Sequence, residues 1–287
     1  PRVYFVNFYY PPLARSRRCY HYARALADAG FRVTIYTIAN PSGYFNKFIE
    51  DPDNQISDPE IEVIRLAVPR WWAAGELLYA FGLLSCPQAN WGWVLGRALA
   101  ERLRREPGIV LSLYPPVSSL AGAAWAAKST GCPLALDFRD EYAALDSRGL
   151  RRWRTGSIYR RERELVRAAD LLSVTTEPVK ESLVARHGID AGKALVVYNG
   201  IGGEMPRVRL NDFSRTPVRF IYAGAISGHQ KPEIFCEAWN LLNSREPALA
   251  RQASIVFHGP ENHYVRKHLL PRMNPPHMVF GGFLPAD

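Results

Sequence analysis

The chain has 287 residues, 47% of them hydrophobic, with 22 prolines and 21 glycines, which suits a loop-rich globular protein of one large domain or two moderate ones. Net charge is +9 and only six of the 36 basic residues are lysine, so the arginine-heavy balance favours anionic partners such as acidic lipids or nucleotides. Cys19, Cys86, Cys132 and Cys236 lie far apart, with neither a disulfide framework nor zinc-ligand spacing, and no nucleic-acid reader motif occurs.

Scattered thiols and a strand that begins almost at residue 1, with no secretory leader, lead to a cytoplasmic, reducing setting as the expectation. Val3 to Phe8 reads as a strand that Tyr9-Tyr10-Pro11-Pro12 ends. A helix is predicted from about Arg17 to Ala29, with Tyr22, Ala23, Leu26 and Ala27 as its apolar stripe and Gly30 as its stop. Arg32 to Ile38 is the next strand, so the chain opens as a βαβ unit of a doubly wound sheet. Between strand and helix, Arg15, Arg17 and Arg18 face a helix N-terminus, whose dipole prefers anions. Either an anionic ligand reconciles the two, or the stretch is a solvated basic turn. Residues 40–60 read as a long polar loop; its Asp51-Pro52-Asp53 is a D-x-D without companion ligands, and no metal is expected there.

Ile61 to Val68 is a third strand. Next, Trp71, Trp72, Trp91 and Trp93 bracket the apolar run Leu77 to Leu84, which is too short to span a bilayer. The segment is either a helix at a membrane interface, an acceptor groove for a lipid, or an ordinary packed helix. A second βαβ unit follows: Val110 to Leu113, a small-residue helix capped by Ser118 or Ser119 and stopped at Gly131, then Leu134 to Leu136 leading into Asp137-Phe138-Arg139-Asp140-Glu141. Both polar loops leave the carboxyl ends of parallel strands, the rim where open α/β sheets bind ligands.

Residues 148–167 carry eight arginines against Glu162 and Glu164, with Ile158, Glu162, Leu165, Val166 and Ala169 on one helical face. The arginine face is either solvated or a seat for anionic headgroups. Strands at Asp170 to Glu177 and Ala194 to Val197 flank a short helix, Val179 to Arg186, and the second strand leads to Tyr198-Asn199-Gly200-Ile201. After an irregular stretch the pattern restarts with Val218 to Tyr222 and the loop Ala223-Gly224-Ala225-Ile226-Ser227-Gly228-His229-Gln230-Lys231-Pro232. Glycines before a proline-started helix make a phosphate cradle, a weak signal alone. That helix runs to about Asn243, and strands at Ser254 to Phe257 and Val279-Phe280 complete the chain.

The order of five stretches resembles glycosyltransferase family 4, of the GT-B fold. They are F-V-N-F-Y-Y-P-P with A-R-A-L-A-D-A-G-F-R-V-T-I-Y-T; the P-P-V-S-S and L-D-F-R-D loop pair; E-L-V-R-A-A-D-L-L-S-V-T-T-E; V-V-Y-N-G-I; and F-I-Y-A-G. The resemblance implies an α/β architecture of two Rossmann-like doubly wound domains facing a cleft. The acceptor domain would cover 1–203, a linker 204–217, and part of a nucleotide-sugar domain 218–287. It further implies transfer from a nucleotide-sugar to a lipid-linked, amphipathic or oligosaccharide acceptor in glycan or polysaccharide biosynthesis, with retention, no cofactor and no metal. The tryptophan-flanked segment and the arginine run add the expectation of an anionic membrane surface at the inner face. Carried onto this sequence, Asp140 and Arg139 take the catalytic positions. Ser118, Ser119, Arg15 and Tyr114 line the acceptor side, and Lys231, Gly224, Gly228, His229 and Asn199 the donor side. The sequence departs from the family pattern at Leu13-Ala14-Arg15-Ser16 (a glycine-rich loop elsewhere), at Ala225 (often arginine) and at Gly202 (usually aspartate). The paired-glutamate donor motif is not among these 287 residues, so two other readings stand beside the transferase: an inactive acceptor-binding module, and a sugar-nucleotide epimerase or hydrolase.

Overall fold

The computed structural model describes residues 1–13, 17–39, 56–68, 73–81, 83–84, 86, 88–143, 155–200, 218–228, 230–273 and 277–284. The chain divides into two compact units, Pro1–Met205 and Pro206–Asp287.

Unit 1 is built on seven parallel strands: β1 (Arg2–Val6), β2 (Arg32–Ile38), β3 (Ile61–Leu66), β4 (Ile109–Tyr114), β5 (Leu134–Phe138), β6 (Leu171–Val174) and β7 (Ala194–Val196). Their spatial order is β3-β2-β1-β4-β5-β6-β7. The order reverses between β1 and β4, which makes the crevice at their carboxyl ends the topological switch point. The helices are α1 (Arg17–Asp28), α2 (Ala73–Ala80), α3 (Ala89–Arg105), α4 (Val117–Thr130), α5 (Thr155–Ala168) and α6 (Glu177–His187). Both βαβ units read from the sequence are present, β1 pairing β2 and β4 pairing β5 in parallel.

Because strand side chains alternate, β1 feeds two cores at once. Val3 and Phe5 pack with Ile35, Leu111, Leu113 and the Ala23 face of α1. Tyr4 and Val6 pack on the opposite face with Trp91, Leu95, Leu120, Phe138 and Leu165. Covering on both faces is what an all-parallel sheet requires.

Helices α3 and α4 cross at contact distance because glycine lies at the crossing. A Cβ on Gly92 would stand 2.6 Å from the Ser118 carbonyl oxygen, and one on Gly122 would stand 2.4 Å from that of Gly92. Neither serine caps α4, contrary to the expectation. Pro116 is the N-cap, and Ser118 and Ser119 lie in the first turn. At the other end Gly131, at φ 69°, closes the helix in the left-handed conformation as predicted.

Unit 2 is a smaller parallel sheet in the order β10-β9-β8, from β8 (Val218–Ala223), β9 (Ala253–His258) and β10 (Met278–Gly282). Helix α7 (Pro232–Arg245) presents Cys236 and Trp239 to Ile255, Phe257 and Met278. No helix among the described residues is long and apolar enough to cross a membrane.

Candidate functional site

The rim of unit 1 gathers around Asp137, near the end of β5. Its side chain is fully buried, an acid inside an otherwise apolar strand. Oδ1 accepts a 2.6 Å hydrogen bond from the Ser173 hydroxyl on the neighbouring strand β6, and Oδ2 lies 3.3 Å from an Arg18 guanidinium nitrogen. Arg18 also donates to the Asn199 side-chain oxygen. The arginine-at-N-terminus puzzle is thereby partly resolved from within. The anion that meets Arg18 is a carboxylate of the protein, supplied 119 residues later in the chain.

Burial raises the Asp137 pKa; the Ser173 hydroxyl, Arg18 and Arg139 pull it back without cancelling the shift. A folded value above the unfolded one, about 3.9, means that this group's contribution to stability is fully present below the unfolded value. The contribution is lost as pH rises through the folded value. Asp137→Asn cannot ionise, so the variant is expected to gain on the wild type as pH rises above about 4. Urea unfolding at acid and neutral pH reads the difference; a constant gap between the two proteins would contradict the shift.

The loop that follows β5 is pinned on every side but one. The Arg139 carbonyl accepts from the Thr175 hydroxyl at 2.9 Å. Glu141 accepts from Arg186 at 3.0 Å, Tyr142 is buried against Tyr114, and the Ala143 N–H donates to Glu162 at 2.9 Å. Asp140, between them, is exposed and takes no hydrogen bond from a described residue.

The other residues read as acceptor-side separate into three groups. Tyr114 ends β4 and is a core residue, its ring 6.3 Å from that of Phe138 and 5.7 Å from that of Tyr142. Ser118 and Ser119 are buried, and neither hydroxyl has a partner among the described residues. Arg15 lies outside the described residues, as do Asp51-Pro52-Asp53, Trp71 and Trp72. Trp91 is buried against Phe8, their ring centroids 5.0 Å apart, so the core reading holds for it. Trp93, Leu77, Phe81 and Leu83 are exposed. Sequence reading passed over Asp137, Ser173 and Thr175 as site residues. The available signal was an acid set among apolar residues within a predicted strand.

In unit 2 the carboxyl ends of the three strands meet backbone to backbone. The Gly224 N–H donates to the His258 carbonyl at 2.9 Å, and the Gly259 N–H to that of Gly282 at 2.8 Å. A Cβ on Gly259 would come within 2.1 Å of the Gly224 oxygen, so only glycine fits. In the loop after β8, the carbonyls of Ala225, Ile226 and Ser227 turn inward to Tyr222, Asn262 and Gln230. Lys231 caps α7 from the left-handed region, φ 46° and ψ 54°, and is exposed together with Gly224 and Gly228. His229 lies outside the described residues. Among the described residues no cluster of His, Cys, Asp and Glu is arranged to hold a metal ion.

A seven-stranded parallel sheet of this order followed by a second parallel βα unit, each with its polar rim at the strand ends, is the GT-B arrangement of glycosyltransferases. Residues 16–200 match the family model described as "Glycosyl transferase 4-like domain", and the chain belongs to that family. No curated protein matches the sequence. Among solved structures, the lipopolysaccharide outer core galactosyltransferase WaaB in its apo form aligns with a TM-score of 0.57 at 14% identity, over 99% of this chain and 68% of that one. Anabaena Alr3699/HepE in complex with UDP gives 0.62 at 13% identity, over 99% and 70%. An E. coli structure described as trehalose-6-phosphate bound with UDP-2-fluoro glucose gives 0.61 at 13% identity, over 100% and 74%. At such identities the likeness is one of fold.

Proposed function

We propose that the protein transfers a sugar from a nucleotide-sugar to a hydroxyl of an amphipathic, lipid-linked or oligosaccharide acceptor, with retention, in the assembly of a glycan or polysaccharide. The loop after β5 carries this reading: its backbone and flanking residues are fixed by Thr175, Arg186 and Glu162, while the side chains of Arg139 and Asp140 make no hydrogen bond with the described residues and are left for a ligand. Family membership and the UDP-bound structural neighbours support a nucleotide-sugar donor. In the reaction the acceptor oxygen forms a bond to the anomeric carbon as the bond to the leaving phosphate breaks. The leaving phosphate takes the acceptor proton, so no cofactor or metal enters the scheme. Asp140 positions and polarises the hydroxyl, and Arg139 steadies the acceptor.

Sugar transfer by the full-length gene product from a panel of nucleotide-sugars is the direct test. Asp140→Asn is expected to lower turnover about ten- to a hundredfold, the scale of lost positioning. A fall of roughly 10²–10⁴-fold with a displaced pH profile would make it a general base instead. Unchanged turnover would remove Asp140 from the site.

The reading includes work at the anionic inner face of a membrane, supported by the exposed Leu77, Phe81 and Leu83 and by a net charge of +9 carried mostly by arginine. Cosedimentation with anionic vesicles is expected to weaken as salt rises. It should also weaken when those three residues are replaced by serine. Association indifferent to both changes would discard the membrane component.

A further inference from the structure

A groove of about 540 Å³ runs between the outer sides of α3 and α4, within the range of small-molecule sites. Its floor is made of small residues, among them Gly92 and Gly96 of α3 and Ala121 and Gly122 of α4, so little side chain fills it. Trp93 and Trp125 form its walls, 58% and 52% exposed, unusual for the two largest apolar side chains in the neighbourhood. Helix α4 starts directly after the end of β4, so Ser118, which lines the groove from the first turn, sets one end of it at the binding rim. Ser118 is 3% exposed and its hydroxyl has no hydrogen-bond partner among the described residues. A buried hydroxyl left unpaired costs free energy that a ligand's polar atom would recover.

Charge decides the class of occupant. The charged residues lining the groove are both arginines, Arg97 of α3 and Arg161 of α5. The Arg97 guanidinium stacks over the Trp93 ring at 4.9 Å, and among the described residues Arg161 has one ion pair, with the exposed Glu164 one helical turn along its own helix. An apolar trough bounded by two guanidinium groups complements a molecule that is hydrocarbon along its length and anionic at its head. A neutral apolar helix from a partner would bring no anion to either guanidinium.

We propose that the α3/α4 groove binds the hydrocarbon chain of a single-chain anionic amphiphile, its phosphate held by Arg97 and Arg161, and that this is the lipid part of the acceptor. Only the last clause rests on the transferase reading, because binding to the groove is measured without any donor.

Calorimetry on the full chain separates the alternatives, with lysophosphatidate, monoacylglycerol of the same chain length and glycerol 3-phosphate as probes, each below its micellar concentration. Lysophosphatidate is expected to bind at least tenfold more tightly than either of the others. Trp125→Gln, at a half-exposed position, should weaken lysophosphatidate and monoacylglycerol alike by about tenfold, the scale of one lost apolar wall. The Arg97→Gln, Arg161→Gln double variant should weaken lysophosphatidate alone. Should Trp125→Gln disturb the thermal transition, Trp93→Gln makes the same test from the other wall. Glycerol 3-phosphate binding as tightly as lysophosphatidate would mean a phosphate site with no chain channel. A concentration-dependent dimer dissolved by Trp125→Gln would mean a self-interface. Either result, or binding that ignores both tryptophan variants, overturns the proposal. Lysophosphatidate binding without sugar transfer would count against the transferase alone, and transfer without such binding against the groove alone.

Discussion

Glu162→Ala is expected to destabilise unit 1 by about 3–5 kcal/mol, the cost of breaking a buried ion pair from one side. Glu162 sits on α5 with no exposed surface, yet it ties together the loop after β5 and helix α6. One carboxylate oxygen accepts the Ala143 N–H at 2.9 Å; the other accepts Arg186 at 3.0 Å and lies 2.7 Å from His187 Nε2. Alanine would leave a guanidinium, an imidazole and a peptide N–H without their common acceptor. Because Arg186 keeps Glu141 at 3.0 Å and is one-fifth exposed, the loss belongs toward the lower end of that range. Glu162→Gln retains shape and one acceptor oxygen and should cost about 1–3 kcal/mol. Urea denaturation gives both values. Equal stability of the alanine variant and the wild type would mean that the cluster holds nothing together. The same residue reaches the chemistry indirectly, since Ala143 and Glu141 are anchors of the loop that carries Asp140. The glutamine variant should therefore lose turnover under conditions where it remains fully folded.

Much of the sheet was legible because its strands end at residues that must end them. Pro115-Pro116 terminates β4, Gly131 stops α4, and the Arg32 to Ile38 run is continuous because β2 is buried on both faces. The amphipathic face of α5 was equally plain: Ile158, Glu162, Leu165 and Val166 recur at helical spacing and are the buried ones. That Glu162 belonged to this face was visible, but its partners Arg186 and His187 were not. They come from α6, some 25 residues on, and no local pattern announces a pairing of that kind. Asp137 escaped attention for a related reason. Its partners Arg18 and Ser173 come from α1 and β6, and Asn199, which Arg18 also meets, follows β7; only sheet order unites them. Trp91 and Trp93 show the limit of composition. Two residues apart on one helix they turn about 200° from each other, so one must face the core while the other faces away. Nothing in the tryptophan content says which, whereas the fold sends Trp91 inward and leaves Trp93 to line the groove.

Removal of the Lys231 ammonium is expected to weaken nucleoside diphosphate binding by roughly ten- to a hundredfold, the equivalent of losing one hydrogen bond to a charged group. The prediction takes the unit 2 rim as the donor-diphosphate site, as proposed here. Lys231 is exposed, it directly precedes the first residue of α7, and the loop before it turns the carbonyls of Ala225, Ile226 and Ser227 away into hydrogen bonds of their own. A helix start of this kind favours an anion, and the lysine adds a full positive charge to it. Its backbone complicates a simple deletion, because φ 46° is the only positive φ at a non-glycine residue among those described. Lys231→Ala therefore changes two things, removing the charge while keeping a strained Cβ. Lys231→Gly removes the charge and relieves the backbone, and Lys231→Arg keeps the charge. If the ammonium meets phosphate, alanine and glycine variants lose the nucleoside diphosphate together, arginine retains most of the binding, and the nucleoside alone binds all four proteins equally. If the residue serves only to start the helix, the glycine variant binds the diphosphate as the wild type does. Calorimetric titration of UDP and uridine into each folded variant decides between the two, and a glycine variant with undiminished UDP affinity would remove Lys231 from the donor site.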